Sequence, residues 1–273
     1  MSFDLNEWTQ LLLRWFHVFA GILWVGTTYY FTWLDGRFSK LEAAAKDSAG
    51  KGQDAEKHVW MVHSGGFYLV EKQKSPKVMP GKLHWFRWEA AITWLSGLLL
   101  FFMVYYHHGG QMVDFEGARI SSTTAIIASI LLLIIGWAVY DLLWSSKVFA
   151  NEIIGATICY LLVVATTYGL FHYFSSRAAC LQLGAMFGTI MTANVWMRIL
   201  PAQRRMVRAL NDGRQPDVTE GLRAKMRSKH NTFIVIPVVY LMLSPHFPGT
   251  YHWIIVSVLV LVGWAAAKLL RRA

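Results

Sequence analysis

The sequence is short of charge, cysteine and recognisable catalytic motifs. Only 15% of its 273 residues are charged, against about 25% in soluble domains, so a fold with water on all sides would lack polar surface. The two cysteines form neither a CxxC pair nor a CxxCH haem-attachment site, and we expect two small buried side chains. No Ser/His/Asp arrangement, phosphate loop or zinc-type spacing is present. These shortages exclude a soluble fold and a covalently attached haem c within this sequence.

Apolar and aromatic residues are abundant instead. The chain is 55% hydrophobic, with 13 Trp, 11 Tyr and 16 Phe. A helix needs about 20 apolar residues to cross some 30 Å of hydrocarbon. Seven stretches meet or approach that length, which predicts an all-α, polytopic transmembrane helix bundle. The predicted helices are 8–34, 86–106, 123–144, 153–174, 178–200, 231–248 and 252–270.

Two segments fit this pattern less well. The sixth helix, 231–248, is short, and Pro237 should kink it, although proline is tolerated in buried membrane helices. Segment 58–70 is apolar but too short to cross alone. Its Gly65-Gly66 pair predicts a re-entrant or interfacial piece. Gly184 and Gly188 form a GxxxG pattern in the fifth helix, which permits close helix approach.

The basic residues predict the topology. Ten Lys or Arg lie between Arg37 and Arg87, nine lie in 198–230, and three follow residue 267, while each remaining connection holds at most one. The positive-inside rule then puts the N-terminus outside and the C-terminus inside after seven crossings. The net charge of +10 is therefore a matter of topology, and we expect the lipid bilayer, with no nucleic acid, as partner. We treat 1–273 as a single membrane domain whose first helix is retained.

The first helix carries the leading candidates for chemistry, because ionisable residues inside a membrane are costly and functional by default. Arg14 and His17 share one helix face, and Gly21 leaves a flat space beside the imidazole for a planar group. Neutral imidazole is a good axial ligand for haem iron. The alternative is a histidine hydrogen-bonded to a neighbouring helix, with Arg14 at the outer interface.

A second group of candidates lies at the predicted inner membrane edge. Arg87 and Glu89 are two residues apart at the start of the second helix and do not face each other. Glu89 is placed to relay protons. The alternative is interfacial anchoring by Trp85 and Trp88, with Arg87 extending to the headgroups. His230 opens the sixth helix, where it fits a helix start or a polar site.

Five blocks of the sequence carry a resemblance to one family: RWFHVFAGILWVGTTYYFTWLD, VHSGGFYLVEKQK, KLHWFRWEAAITWLSG, GTIMTANVWMRILPAQ and KHNTFIVIPVVYLMLS. Together they resemble the membrane domain of the PuuD-type urate hydroxylases, the urate oxidase N-terminal domain family. The resemblance implies a domain of the bacterial inner membrane that hydroxylates urate and is followed by an outer c-type cytochrome. This chain, ending at Ala273 without CxxCH, is expected to be a short form that lacks that cytochrome. The matching motif positions are His17, His63, His84 and His230, with Arg14, Trp24, Gly65, Gly66, Glu89 and Asn194.

The first functional hypothesis is a haem b-binding membrane oxidoreductase subunit that passes electrons to a separate cytochrome c or exchanges them with quinone. His17 would be an axial ligand, with its mate among His63, His84, His230 or His172. The predicted depths favour two sites, either two haems or one haem and one substrate or quinone pocket. For urate, a purine anion, the candidate donors are Arg14, Arg87 and Asn194.

Two rival hypotheses come from other functional classes. The alternative to the oxidoreductase is a non-enzymatic membrane anchor or assembly subunit of a respiratory complex. A transporter is disfavoured, because the sequence has neither internal repeats nor paired broken helices.

Overall fold

The computed structural model describes residues 4–48, 58–73, 76, 79–107, 112–113, 119–146 and 151–271. Within these ranges the chain forms seven helical rods, which confirms the predicted all-α bundle. Six of the described helices are long and apolar enough to cross a membrane, so the chain is a multi-pass membrane protein. The outside position of the N-terminus stays a prediction. The helices are α1 Leu5–Ser48, α2 Trp88–Phe101, α3 Ser122–Ser145, α4 Glu152–Tyr173, α5 Ser176–Ala193, α6 Leu200–Asn211, α7 Val218–Leu243 and α8 Trp253–Leu270.

Two helices extend well beyond their predicted ends. α1 has 44 residues, or about 66 Å at 1.5 Å per residue, twice the thickness of the hydrocarbon layer. α5 continues through a π-helical stretch, Asn194–Ile199, into α6, and α2 continues through another, Phe102–Tyr106. The extensions of α1 and α6 lie at the end of the bundle that carries most of the Lys and Arg. We call it the basic end.

α7 departs most from its predicted bounds, beginning at Val218 and ending at Leu243 instead of spanning 231–248. Its first half is charged, so composition alone does not mark it as a membrane span. Its contacts nevertheless place it along the whole bundle. Near its start, Lys225 pairs with Asp35 of α1 at 2.8 Å. Near its end, Leu241 packs beside Gly184 of α5. α7 therefore runs along the bundle beside the six apolar helices, and its crossing of the membrane stays a prediction.

Segment 58–70, predicted as a re-entrant or interfacial piece, forms a β-hairpin. Strands β1 (His58–His63) and β2 (Gly66–Glu71) pair antiparallel. Ser64 and Gly65 link them with φ values of 49° and 78°, the two left-handed residues of a tight hairpin turn. The hairpin packs on α1 through Val59. Its expected contact with the membrane interface stays a prediction.

α5 is the centre of the bundle, because α2, α3, α4 and α7 all pack against it. Its small residues allow this close approach. A Cβ on Gly184 would lie 2.8 Å from Met242 Cε, whereas one on Gly188 would meet nothing within 4 Å. Only the first glycine of the GxxxG pattern is therefore a contact. Cys180 is buried and Cys159 partly buried, both as free thiols.

Candidate functional site

The structure places three of the candidate residues, His17, His230 and Asn194, in two separate regions. His17 lies where α1 packs against α2, in the half of α1 remote from the basic end. His230 and Asn194 lie nearer the basic end, where α3, α5 and α7 meet. Thr232 of α7 contacts Thr32 of α1, fifteen residues from His17. The two histidines are therefore about 22 Å apart along the bundle.

His17 lies in the groove between α1 and α2. Its Nδ1 is 2.9 Å from the carbonyl oxygen of Thr93 and 3.3 Å from Ser96 Oγ. The ring is so close to α2 that a Cβ on Gly97 would come within 2.7 Å of Cε1. Gly97 therefore makes room for the imidazole. Gly21 faces Thr93 instead, where a Cβ would lie 3.8 Å from Cγ2, so α2 occupies the space that the sequence left beside the ring.

These contacts determine the tautomer of His17. The Thr93 carbonyl can only accept a hydrogen bond, and the Ser96 hydroxyl already donates to the Ile92 carbonyl at 2.6 Å. Nδ1 therefore carries the proton of the neutral ring, and Nε2 keeps its lone pair. Metal-bound histidines show this same arrangement, with the second ring N–H held by a backbone carbonyl or carboxylate. Within the described residues, Nε2 of His17 has no hydrogen-bond partner.

Arg14 and Trp24 lie on either side of His17 along α1. Arg14 is exposed, and its Nη2 donates to Gln10 Oε1 at 3.1 Å. Trp24 is about 10 Å further along the helix and packs against a small cluster that includes Ala90. Arg14 is thus available to an anionic group near His17, whereas Trp24 packs between helices.

The other candidate histidines lie away from His17. His63 is exposed at the end of β1, and His84 precedes α2, with its ring 4.5 Å from that of Phe86. His172 lies in the last turn of α4, hydrogen-bonded to Arg119. Among the described residues, no group of three or more His, Cys, Asp or Glu is placed to hold a metal ion.

Arg87 and Glu89 lie at the start of α2, at the basic end of the bundle, and do not pair with each other. The Arg87 guanidinium carbon is 5.3 Å from the Trp88 ring, and Trp88 packs edge-to-face on Trp196. Glu89 is in the first turn of α2 and half-buried. The residues proposed to bind a purine anion, Arg14, Arg87 and Asn194, therefore lie in three separate places. Their roles stay predictions.

A buried ionic cluster joins α3, α5 and α7 near the basic end. The Asp141 carboxylate accepts from Arg198 through both oxygens, with Nε–Oδ1 at 2.8 Å. It also accepts from Arg227 Nη2 at 2.9 Å. Arg227 is only 3% exposed and also donates to Ser145. Its Nη1 has no partner within the described part of the chain. Two cations thus share one carboxylate.

A chain of side-chain hydrogen bonds runs from the backbone to His230. The Met191 carbonyl accepts from Asn231 Nδ2 at 3.0 Å, so the Asn231 oxygen accepts from Asn194 Nδ2 at 3.0 Å. Asn194 Nδ2 also donates to the Tyr140 oxygen at 3.0 Å. The Tyr140 proton is then free for His230 Nδ1, 2.7 Å away.

These hydrogen bonds assign to His230 the tautomer opposite to that of His17. Because Tyr140 donates to Nδ1, the neutral ring keeps its proton on Nε2. That N–H is a hydrogen-bond donor rather than a metal ligand. The Asn194 oxygen is left without a partner among the described residues, although Asn194 is fully buried. The ring itself packs on Trp144, with centroids 4.2 Å apart.

Beside His230 is a cavity of about 880 Å³. α3, α4, α5, α7 and α8 line it, mostly with apolar side chains. Its lining on α3 runs from Leu132 to Trp144, about 18 Å along the helix axis. Its polar lining at the basic end consists of Glu152, Lys229, His230, Lys268 and Arg271.

The sequence did not point to most of the residues in the ionic cluster at Asp141 and around His230. Tyr140, Asp141, Trp144, Arg198 and Arg227 were not singled out. A signal was present for one of them, because Asp141 is the sole charged side chain within the predicted helix 123–144, and such residues are functional candidates. The two arginines lie in a stretch rich in basic residues, which topology already explained. Only the approach of α3, α5 and α7 shows that they meet the aspartate.

Comparison with known proteins identifies one family. A family model described as "Urate oxidase N-terminal" matches residues 4–272. No curated protein and no solved structure matches the chain. The matched range includes both the His17 groove and the cluster around His230.

Proposed function

The chain belongs to the urate oxidase N-terminal family, and on that premise we propose that it is a haem b-binding membrane oxidoreductase subunit of the urate-hydroxylase type. It would pass electrons to a separate cytochrome c or exchange them with quinone. We further propose that it works in the inner membrane of a bacterium. The chain is a multi-pass, urate-oxidase-like membrane domain.

The observation that carries the proposal is the contact of His17 Nδ1 with the Thr93 carbonyl oxygen, 2.9 Å away. The Thr93 carbonyl holds the proton on Nδ1, so Nε2 offers a lone pair. Gly97 and the backbone of α2 hold the ring in one orientation, which removes the entropy cost of ordering a free side chain. An axial ligand needs both properties, a basic nitrogen and a fixed ring plane. His17 is therefore the residue that we assign to the haem iron.

Arg14 supports this assignment from the neighbouring turn. It is three residues from His17, on the same face of α1, and its only hydrogen bond within the described residues is to Gln10. Its guanidinium can neutralise a propionate. The haem, when bound, supplies one-electron transfer. Within four residues, His17 would thus provide the ligand of the haem iron and Arg14 the cation that neutralises a haem propionate.

The structure weighs against one purine pocket built from the predicted donors. Arg14 and Arg87 are separated along α1 and α2, about three helical turns apart. Asn194 lies in a third place, in the buried cluster with Tyr140 and Asn231. We therefore propose that urate is the substrate of the enzyme system in which this chain works. We assign no group of urate-binding residues to the chain itself.

The test is an absorbance spectrum of purified protein, reduced minus oxidised. A b-type α band is expected in the wild type. His17→Ala should abolish or shift that band, and His58→Ala, at the start of β1, is the matched control that should leave it unchanged. Urate-dependent reduction of the band then tests the substrate separately.

Two results would overturn the proposal. Wild-type protein without haem at full occupancy would favour the alternative, a non-enzymatic anchor or assembly subunit. An unchanged spectrum in His17→Ala would remove His17 as the ligand. Haem without urate-dependent reduction would instead restrict the function to electron transfer and contradict the urate part alone.

A further inference from the structure

The cavity beside His230 has the form of a binding site for an amphiphile. Its body is apolar and about 18 Å long on α3, roughly the length of an acyl chain in one leaflet. Two of its lining residues are strongly exposed, Ile135 at 52% and Ile153 at 77%. They lie on α3 and α4, so the cavity opens between these helices toward the bilayer.

The mouth of the cavity is positively charged. Three basic residues line it at the basic end, Lys229, Lys268 and Arg271, against one acid, Glu152. Glu152 is already paired with Lys229. Lys268 and Arg271 form no salt bridge among the described residues, and the Arg271 guanidinium lies 5.5 Å from the Phe233 ring. With three positive charges and one negative, the described residues of the mouth carry a net charge of +2.

His230 adds a directed donor to this mouth. Its Nδ1 is taken by Tyr140, so Nε2–H is the ring's remaining donor, and the ring lines the cavity. Trp144 packs against the same ring and limits its movement. The mouth therefore offers a fixed N–H together with two cations, the groups that a phosphate oxygen accepts from.

We infer that this cavity binds an anionic phospholipid, with the phosphate at Lys268, Arg271 and His230 and an acyl chain along α3 and α4. Basic pockets between membrane helices recognise anionic headgroups in this way. A neutral headgroup would leave the charge of +2 uncompensated. A free anion would leave the apolar body unfilled. The inference is independent of the haem at His17, which lies about 22 Å away along the bundle.

The experiment uses delipidated full-length protein in detergent, with phosphatidylglycerol and phosphatidylcholine of identical acyl chains as probes. Binding is read by native mass spectrometry and by the thermal unfolding midpoint. Phosphatidylglycerol should remain bound and raise the midpoint, whereas phosphatidylcholine should do neither. Equal effects of the two lipids would overturn headgroup recognition.

Variants at the mouth test the cations. Lys268→Gln combined with Arg271→Gln should weaken phosphatidylglycerol binding roughly 25-fold, the product of about fivefold per basic residue. Arg204→Gln combined with Arg208→Gln makes the same charge change on exposed residues of α6 and should leave binding unchanged. An equal loss in both pairs would show a general surface-charge effect and overturn the site.

A variant of the apolar body tests the acyl chain and keeps every charge. Ala156→Phe narrows the cavity from α4 and should abolish phosphatidylglycerol retention. Leu161→Phe, on an exposed residue of α4 that does not line the cavity, is the control. Undiminished binding in Ala156→Phe, together with competition by inorganic phosphate, would identify a phosphate site without a lipid tail and contradict the proposal.

Discussion

The groove at His17 and the cluster at His230 hold their histidines in opposite ways. At His17 a backbone carbonyl, Thr93, accepts from Nδ1 and leaves Nε2 with a lone pair. At His230 a hydroxyl, Tyr140, donates to Nδ1 and leaves Nε2 with the proton. The same side chain thus offers a lone pair in one region and an N–H donor in the other.

The two regions also differ in what maintains the arrangement. A carbonyl has no proton to give, so the His17 tautomer cannot reverse without breaking its contact with α2. The His230 tautomer depends instead on three side chains, Asn231, Asn194 and Tyr140, and ultimately on the Met191 carbonyl. A single substitution among these three side chains can therefore change which nitrogen of the His230 ring carries the proton. The cluster at His230 has more contacts than the groove at His17, but the tautomer of its histidine is easier to change.

The largest effect should come from removing the charge at the centre of the cluster. Asp141→Asn leaves Arg227, 3% exposed, without its counter-ion, and losing one partner of a buried ion pair costs about 3–5 kcal/mol. The free energy of unfolding in detergent measures it. Glu220→Gln, which breaks the exposed pair with Arg205, is the control and should cost no more than about 1 kcal/mol. Equal losses would show that the cluster is not a buried ion network.

A smaller effect should follow loss of the Tyr140 hydroxyl. Tyr140→Phe leaves Asn194 Nδ2 with one acceptor fewer and His230 Nδ1 without its donor, at a cost of about 1–3 kcal/mol. The His230 tautomer should also lose its bias, which ¹⁵N chemical shifts of labelled histidine can follow. The His17 signal should stay as it is in the wild type. A His230 tautomer unchanged by the substitution would contradict the hydrogen-bond chain.

The smallest effect should come from crowding the other histidine. In Gly97→Ala the new Cβ would lie 2.7 Å from His17 Cε1, so the ring must turn away from Thr93. Because the ring can move, the loss of unfolding free energy should be only about 1 kcal/mol. The b-type band should nevertheless shift. Gly26→Ala, whose Cβ would meet nothing within 4 Å, is the matched control, and equal spectra in the two variants would disprove the role of Gly97.

Much of the fold could be predicted from the sequence. The bounds of α3, α4 and α8 agree with the predicted helices to within two residues at each end, because apolar length alone decides where such helices lie. α7 was misplaced, because half of it is charged and only its contacts with α1 and α5 show that it runs along the bundle. The hairpin at 58–71 was missed, because a short apolar segment with two glycines is compatible with several conformations, and pairing of the strands selects one.

The candidate site was less predictable than the fold. His17 and His230 could be chosen from the sequence, because polar groups in apolar helices are rare, and Asn194 was chosen through the family resemblance. Their partners could not be chosen, since Thr93 contributes a backbone carbonyl, which every residue has. Asp141 and Arg227 are 86 positions apart, and no local pattern links them.

By itself the sequence determined that this chain is a multi-pass membrane protein and which polar residues its helices carry, because hydrophobic length and charge are properties of composition along the chain. The tertiary structure decided what those polar residues can do. The partner of each imidazole nitrogen depends on which helices pack together, and that partner assigns a lone pair to His17 and a proton to His230.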